Sequence, residues 1–169
     1  MSANLKTLIL ARHAKSSWKE QDQHDFDRPL NARGIRDAPE MADRLASRNE
    51  GVACVVSSDA ARALATARLL STGIRLNPAH IVRAPDIYEA AASAIISEIE
   101  GLNDAHSCVL MVGHNPGMSE AVNILCPEAG ISMPTCAMAC LTLDIDSWQQ
   151  TGRNCGSLKW YDYPKLERR

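Results

Sequence analysis

Aliphatic residues gather in short runs along this chain, and each run stops abruptly at polar residues. The first is Thr7-Leu-Ile-Leu-Ala11, followed at once by Arg12-His13-Ala-Lys-Ser-Ser17. A short continuous apolar run bounded this way reads as a strand buried on both faces, the parallel type. Gly51-Val-Ala-Cys-Val-Val56 repeats the pattern and ends in Ser57-Ser-Asp59. Cys108-Val-Leu-Met-Val112 repeats it again and ends in the turn chemistry of Gly113-His-Asn-Pro-Gly117. Ile81-Val-Arg83 reads as a short strand, Ala137 to Asp144 as a longer one, and Ser157 to Tyr161 as a final strand or extended tail. Between these runs the period changes. Ile35, Ala38, Met41, Ala42 and Leu45 fall at helical spacing, which predicts a helix over Ala32–Arg48 with Asn31 as its cap. Pro39 should kink or break it. Further helices are predicted over Ala60–Leu70, Ala90–Leu102 and Met118–Leu125, and the polar stretch Trp18–Asn31 reads as a solvated loop. Strand and helix in alternation predict an α/β three-layer αβα sandwich around a mostly parallel sheet. No linker or repeat divides the chain, so residues 1–169 form one domain.

Composition narrows the class of partner. At 169 residues the chain can bury a full core, and a formal net charge of -2 gives no electrostatic reason to expect nucleic acid or a membrane surface. No apolar run approaches a membrane span, and the opening residues lack the layout of a signal peptide. The six cysteines include no CxxC pair, which fits reduced thiols in a cytoplasmic protein. Cys136 and Cys140 have metal-like spacing without further ligands and read as small hydrophobes. No cysteine has an arginine six residues later, which excludes a cysteine-based phosphatase. Leu141-Thr-Leu-Asp-Ile-Asp146 imitates the aspartate-nucleophile phosphatases, but Trp148 breaks that motif.

In a parallel α/β sheet, ligands sit beyond the carboxyl ends of the strands. Three predicted strand ends carry Arg12-His13, Ser57-Ser58 leading to Arg62, and Gly113-His114. Two arginines and two histidines converging there suit a phosphoryl group. The arginine fork matches phosphate oxygens, and a neutral histidine can act as a nucleophile or donate a hydrogen bond. Arg62 in the first turn of a helix adds positive charge where the helix already attracts anions; the plain alternative is an exposed arginine paired with Asp59. The histidines are not in a metal-ligating cluster, and no cofactor is expected.

These residues resemble the histidine phosphatase, or phosphoglycerate mutase-like, superfamily, and most closely its SixA-like phosphohistidine phosphatases. Leu8-Ile-Leu-Ala-Arg-His-Ala-Lys-Ser-Ser-Trp18, Arg28-Pro-Leu-Asn-Ala-Arg-Gly34, Ser57-Ser-Asp-Ala-Ala-Arg-Ala-Leu-Ala-Thr-Ala67, Tyr88-Glu89, Val112-Gly-His-Asn-Pro-Gly117 and Met133-Pro-Thr135 match in order over nearly the whole chain. Ala14 stands where the wider superfamily has glycine, as is usual in the SixA-like branch.

The resemblance implies that His13 is the nucleophile, transiently phosphorylated, and that Arg12, Arg62 and His114 bind the phosphoryl oxygens. The reacting nitrogen of His13 must be unprotonated, so its other ring nitrogen should donate, for instance to a backbone carbonyl. Glu89 stands near the place of the superfamily's proton donor; it reads equally as an early-helix glutamate favoured by the helix dipole. Ser16 reads either as a phosphate ligand or as a turn residue. The implied substrate is phosphohistidine on a protein, such as a histidine phosphotransfer or phosphocarrier domain. A phosphomonoesterase acting on a small metabolite would use the same residues with Glu89 as acid, and a phosphate-binding module would use them without turnover.

Overall fold

The computed structural model describes residues 5–166. Its strands are β1 (Lys6–Arg12), β2 (Cys54–Ser57), β3 (Val82–Arg83), β4 (Cys108–Gly113), β5 (Met138–Leu143) and β6 (Gly156–Asp162). Its longer helices are α1 (Ala32–Arg48), α2 (Ala61–Gly73), α3 (Ala92–Glu100) and α4 (Gly117–Leu125). The strands form one sheet in the order β3-β2-β4-β1-β5-β6. β3, β2, β4 and β1 run parallel; β5 is antiparallel to β1, and β6 to β5. The expected α/β fold with a mostly parallel sheet is therefore observed, with an antiparallel pair added on one side.

Side-chain alternation along the strands builds a core on each face. Leu8 and Leu10 of β1 join Val109 and Met111 of β4 under Ile95, Ile99, Met118 and Val122 of α3 and α4. Ile9 and Ala11 face the other way with Leu110 and Val112, under Met41, Leu45, Ala63 and Leu70 of α1 and α2. Leu8, Ile9 and Leu10 are fully buried, and each contributes about 1.5–3 kcal/mol through burial. This places β1 in the middle of the sandwich, and its end in the middle of the sheet's carboxyl edge.

α1 has the predicted bounds, and the Asn31 side chain accepts from the Gly34 amide at 2.9 Å. A methyl group on Gly34 would meet the Lys15 carbonyl at 2.2 Å, so glycine lets the helix start close against the segment leaving β1. Two positions in this helix bear on those expectations. Ile35 is exposed rather than on the core face, and α1 runs through Pro39 without a break. Both residues lie on the outer side, where the carbonyl that loses its donor faces water, which lowers the cost of the proline. Residues 156–162 are a full strand rather than a tail. β6 pairs along β5, and Asp162 receives Arg44 at 2.9 Å and Arg48 at 3.1 Å. α3 starts at Ala92, so Glu89 precedes the helix instead of lying in its first turn.

Candidate phosphoryl site at the strand ends

The sheet's ladder continues past the strand ends and fixes the backbone of the site. The His13 amide donates to Gly113 O, and the Ser58 amide to Val112 O, each at 3.0 Å. Arg12, His13, Ser58 and His114 are thus set side by side by main-chain bonds from three neighbouring parallel strands. Gly113 is needed for this closeness, because a methyl group there would lie 2.8 Å from Met118 Sδ and 2.9 Å from Ile87.

His13 Nδ1 lies 2.7 Å from the carbonyl of Ala14. A carbonyl only accepts, so Nδ1 carries the proton and Nε2 keeps its lone pair. The expected backbone anchor is present. Ala14 is itself held, its amide donating to Thr66 Oγ1 at 2.9 Å, while the Thr66 hydroxyl donates to Arg62 O at 2.8 Å. Thr66 therefore couples the residue that orients His13 to the helix that carries Arg62. Burial lowers the His13 pKa to about 3, with His114, Arg62 and Arg12 adding to the shift and the Ala14 bond opposing it. The imidazole is neutral at neutral pH, with the Nε2 lone pair turned toward cationic groups.

Arg62 is buried, and its Nε lies 3.4 Å from His13 Nε2. The alternative of an exposed arginine paired with Asp59 does not hold: Asp59 pairs with Arg83 at 2.6 Å. Arg62 instead donates Nη1 to Asp25 O at 2.7 Å and Nη2 to Asp25 Oδ2 at 3.0 Å. Asp25 also accepts from Tyr88 OH at 2.7 Å and from Arg28 Nη1 at 2.8 Å. Burial raises the Asp25 pKa, but the bonds from Tyr88, Arg28 and Arg62 outweigh it and hold the carboxyl below the usual carboxylate range. Asp25 is an anion that orients Arg62 and cannot supply a proton near neutral pH.

His114 lies with its ring centroid 5.2 Å from that of His13, and Tyr88 packs edge-on against it at 5.5 Å. Burial and Arg62 lower its pKa to about 4. Arg12 donates Nη1 to Met133 O at 3.0 Å. Arg12 Nε and His114 Nδ1 are buried without a hydrogen-bond partner among the described residues. Four of the five sequence-selected residues, Arg12, His13, Arg62 and His114, thus form one cluster.

A model of the histidine phosphatase superfamily (branch 1) matches residues 8–103, more than half the chain. The chain belongs to the histidine phosphatase superfamily. Among its relatives, an uncharacterised chloroplastic protein of Arabidopsis thaliana is 30% identical, covering 92% of this chain and 74% of the relative. A structure from Agrobacterium tumefaciens, provisionally assigned as the phosphohistidine phosphatase SixA, is 26% identical with a TM-score of 0.78, covering 94% of this chain and 98% of that one. The protein histidine phosphatase SixA in complex with tungstate shares the fold at a TM-score of 0.80 and 23% identity, covering 94% and 97%.

Glu89 stands apart from this cluster. It is exposed, has left-handed backbone at φ 50°, and makes no side-chain hydrogen bond among the described residues. Ser16 is buried and accepts from Arg28 Nη2, so its hydroxyl is committed to the loop that carries Asp25. Sequence reasoning missed Asp25, Arg28 and Thr66. Arg28 and Thr66 lay within the matched segments, and their side-chain partners were the missing information. Asp25 had no signal beyond being one of several acids in a polar loop. No group of three or more His, Cys, Asp or Glu residues among the described residues is arranged to hold a metal, and no described helix is long and apolar enough to cross a membrane.

Proposed function

We propose that this protein is a phosphohistidine phosphatase that works through a phosphorylated His13. Membership of the histidine phosphatase superfamily and likeness to SixA support a phosphatase. The observation that carries the mechanism is the His13 ring, held at Nδ1 by Ala14 O and kept neutral, with Nε2 turned to Arg62. In the first step Nε2 attacks phosphorus in line, an N–P bond to His13 forms, and the bond to the leaving group breaks. In the second step water attacks the phosphorylated His13, inorganic phosphate departs, and the neutral ring returns. Arg12, Arg62 and His114 supply donors to the phosphoryl oxygens, where most of the stabilisation in phosphoryl transfer arises.

The substrate class follows from the proton donors. An alkoxide leaving group needs a general acid, worth ~10²–10⁴-fold. Asp25 is held ionised, and Glu89 is exposed without a bond to the cluster. An imidazole departs far more easily, so this arrangement favours phosphohistidine, carried on a protein such as a phosphotransfer or phosphocarrier domain. The second reading, a phosphomonoesterase on a small metabolite, draws on one observation: Glu89 adjoins Tyr88, and its charge is felt at the Tyr88 hydroxyl.

Phosphate release from a phosphohistidine peptide and from a phosphoserine peptide, with chelator present, tests both. Preference for phosphohistidine, with His13→Ala inactive and Glu89→Gln within about twofold of wild type, is expected; a working general acid would cost ~10²-fold or more. Efficient ester turnover that collapses in Glu89→Gln would establish the second reading. Tight phosphate binding without turnover, unchanged by His13→Ala, would sink both.

A further inference from the structure

The His114–Ser58 contact holds information about protons that the superfamily reading leaves open. His114 Nε2 lies 2.8 Å from Ser58 Oγ, and both residues are buried, Ser58 completely. Either atom could be the donor. The surroundings of Ser58 decide between them. Ser58 Oγ already accepts the Ala60 amide at 3.3 Å, and its hydroxyl hydrogen, sealed from water, has His114 Nε2 as the acceptor the described residues offer. If Nε2 carried the proton, Ser58 Oγ would receive two donors and its own hydrogen would be left unmatched. A buried donor without an acceptor forfeits the hydration it had in the unfolded chain and gains nothing in return. If the hydroxyl donates to Nε2, Ser58 Oγ and Nε2 are both satisfied, and the ring proton moves to Nδ1, the nitrogen left to meet a ligand.

That nitrogen is the buried atom for which the structure gives no protein partner, as it gives none for Arg12 Nε. A neutral imidazole has one N–H, so its tautomer decides whether Nδ1 meets a phosphoryl oxygen as a donor or as a second lone pair. We infer that Ser58 is a positioning residue that fixes His114 as the Nδ1–H tautomer and so makes it a hydrogen-bond donor to the phosphoryl group. This rests on the phosphoryl-site reading above and adds to it the residue that sets its proton inventory. The two histidines reach the same tautomer by opposite means. His13 is held as Nδ1–H because a carbonyl accepts that proton, and His114 because a hydroxyl occupies the other nitrogen.

Long-range ¹H–¹⁵N correlation spectra of the full-length protein, labelled at histidine, report each tautomer directly, and titration with inorganic phosphate reports affinity. The expected result is an Nδ1–H tautomer for His114 in the wild type. Ser58→Ala should shift it toward Nε2–H or a mixture and weaken phosphate binding by about ten- to a hundredfold, with the His13 signals and overall spectrum retained. An Nε2–H tautomer in the wild-type protein would overturn the inference without any variant. So would an Nδ1–H tautomer and phosphate affinity that both survive in Ser58→Ala. A Ser58-dependent Nδ1–H tautomer and phosphate affinity in a protein that releases no phosphate from phosphohistidine would support this role while defeating the phosphatase reading.

Discussion

The two walls of the site are built on different principles. One wall is the carboxyl edge of β1, β4 and β2, where main-chain bonds between strands carry on into His13 and Ser58. The other wall is the segment between β1 and α1, where side chains do the holding. Arg28 donates to Ser17 O at 3.0 Å and to Asp25 at 2.8 Å, Trp18 stacks on its guanidinium, and Asp25 reaches across to Arg62 and Tyr88. Trp18 is 72% exposed and Phe26 38%. A wall fixed by the sheet can place a nucleophile to within the tolerance that chemistry needs. A wall fixed by ion pairs and half-exposed rings can change from one protein to another without disturbing that placement. Under the proposed function, reaction and substrate choice would fall to separate parts of the chain.

Substitutions on each wall should separate these assignments. Arg62→Ala should have the largest effect, lowering kcat/KM for a phosphohistidine peptide by ~10²–10³-fold, as loss of a main oxyanion donor does. An effect no larger than that of Trp18→Ala would refute the division. Asp25→Ala should cost about tenfold, because Arg62 loses its orienting partner; an increase in activity would mean that Asp25 competes with phosphate for the arginine. Acid should weaken the strand wall selectively. His13 and His114 are folded with pKa values of about 3 and about 4, against about 6.5 when unfolded. The unfolded chain therefore binds more protons below pH 6.5, and stability falls as pH drops from 6.5 toward 4. The urea midpoint should be lower at pH 5 than at pH 7, and His114→Asn should narrow that difference. Trp18→Ala should have the smallest effect, a few-fold loss on a protein substrate and none on a small phosphoramidate. Equal loss on both would place Trp18 in the chemistry rather than at the rim.

The same division governs what the sequence discloses. Arg12, His13 and His114 follow apolar runs, and Arg62 opens an alanine-rich helix, so strand period and turn chemistry locate them. Their meeting depends only on parallel strands ending at one edge. Asp25 carries no such mark: five other residues of Trp18–Asn31 are also charged, and nothing local distinguishes the one that crosses to α2. Glu89 shows the converse. Its position before an apolar helical pattern fits a first turn, yet the chain takes a left-handed step there and the helix begins three residues later. The direction of β5 was equally hidden, since strand pairing is a long-range choice that composition does not record.

The central place of β1 also bears on how the molecule comes into being. Thr7 pairs with Cys108, and Ile9 with Cys140, so β1 waits on the ribosome for neighbours made about a hundred residues or more after it. Until β4 and β5 emerge, its aliphatic run has no sheet to join, and such exposed segments are prone to aggregate. Pairing across so much chain is slow, with folding expected on the millisecond-to-second scale. His13 is synthesised ahead of Arg62 and His114, so an unfinished chain holds this histidine before the arginine and the second histidine that surround it exist.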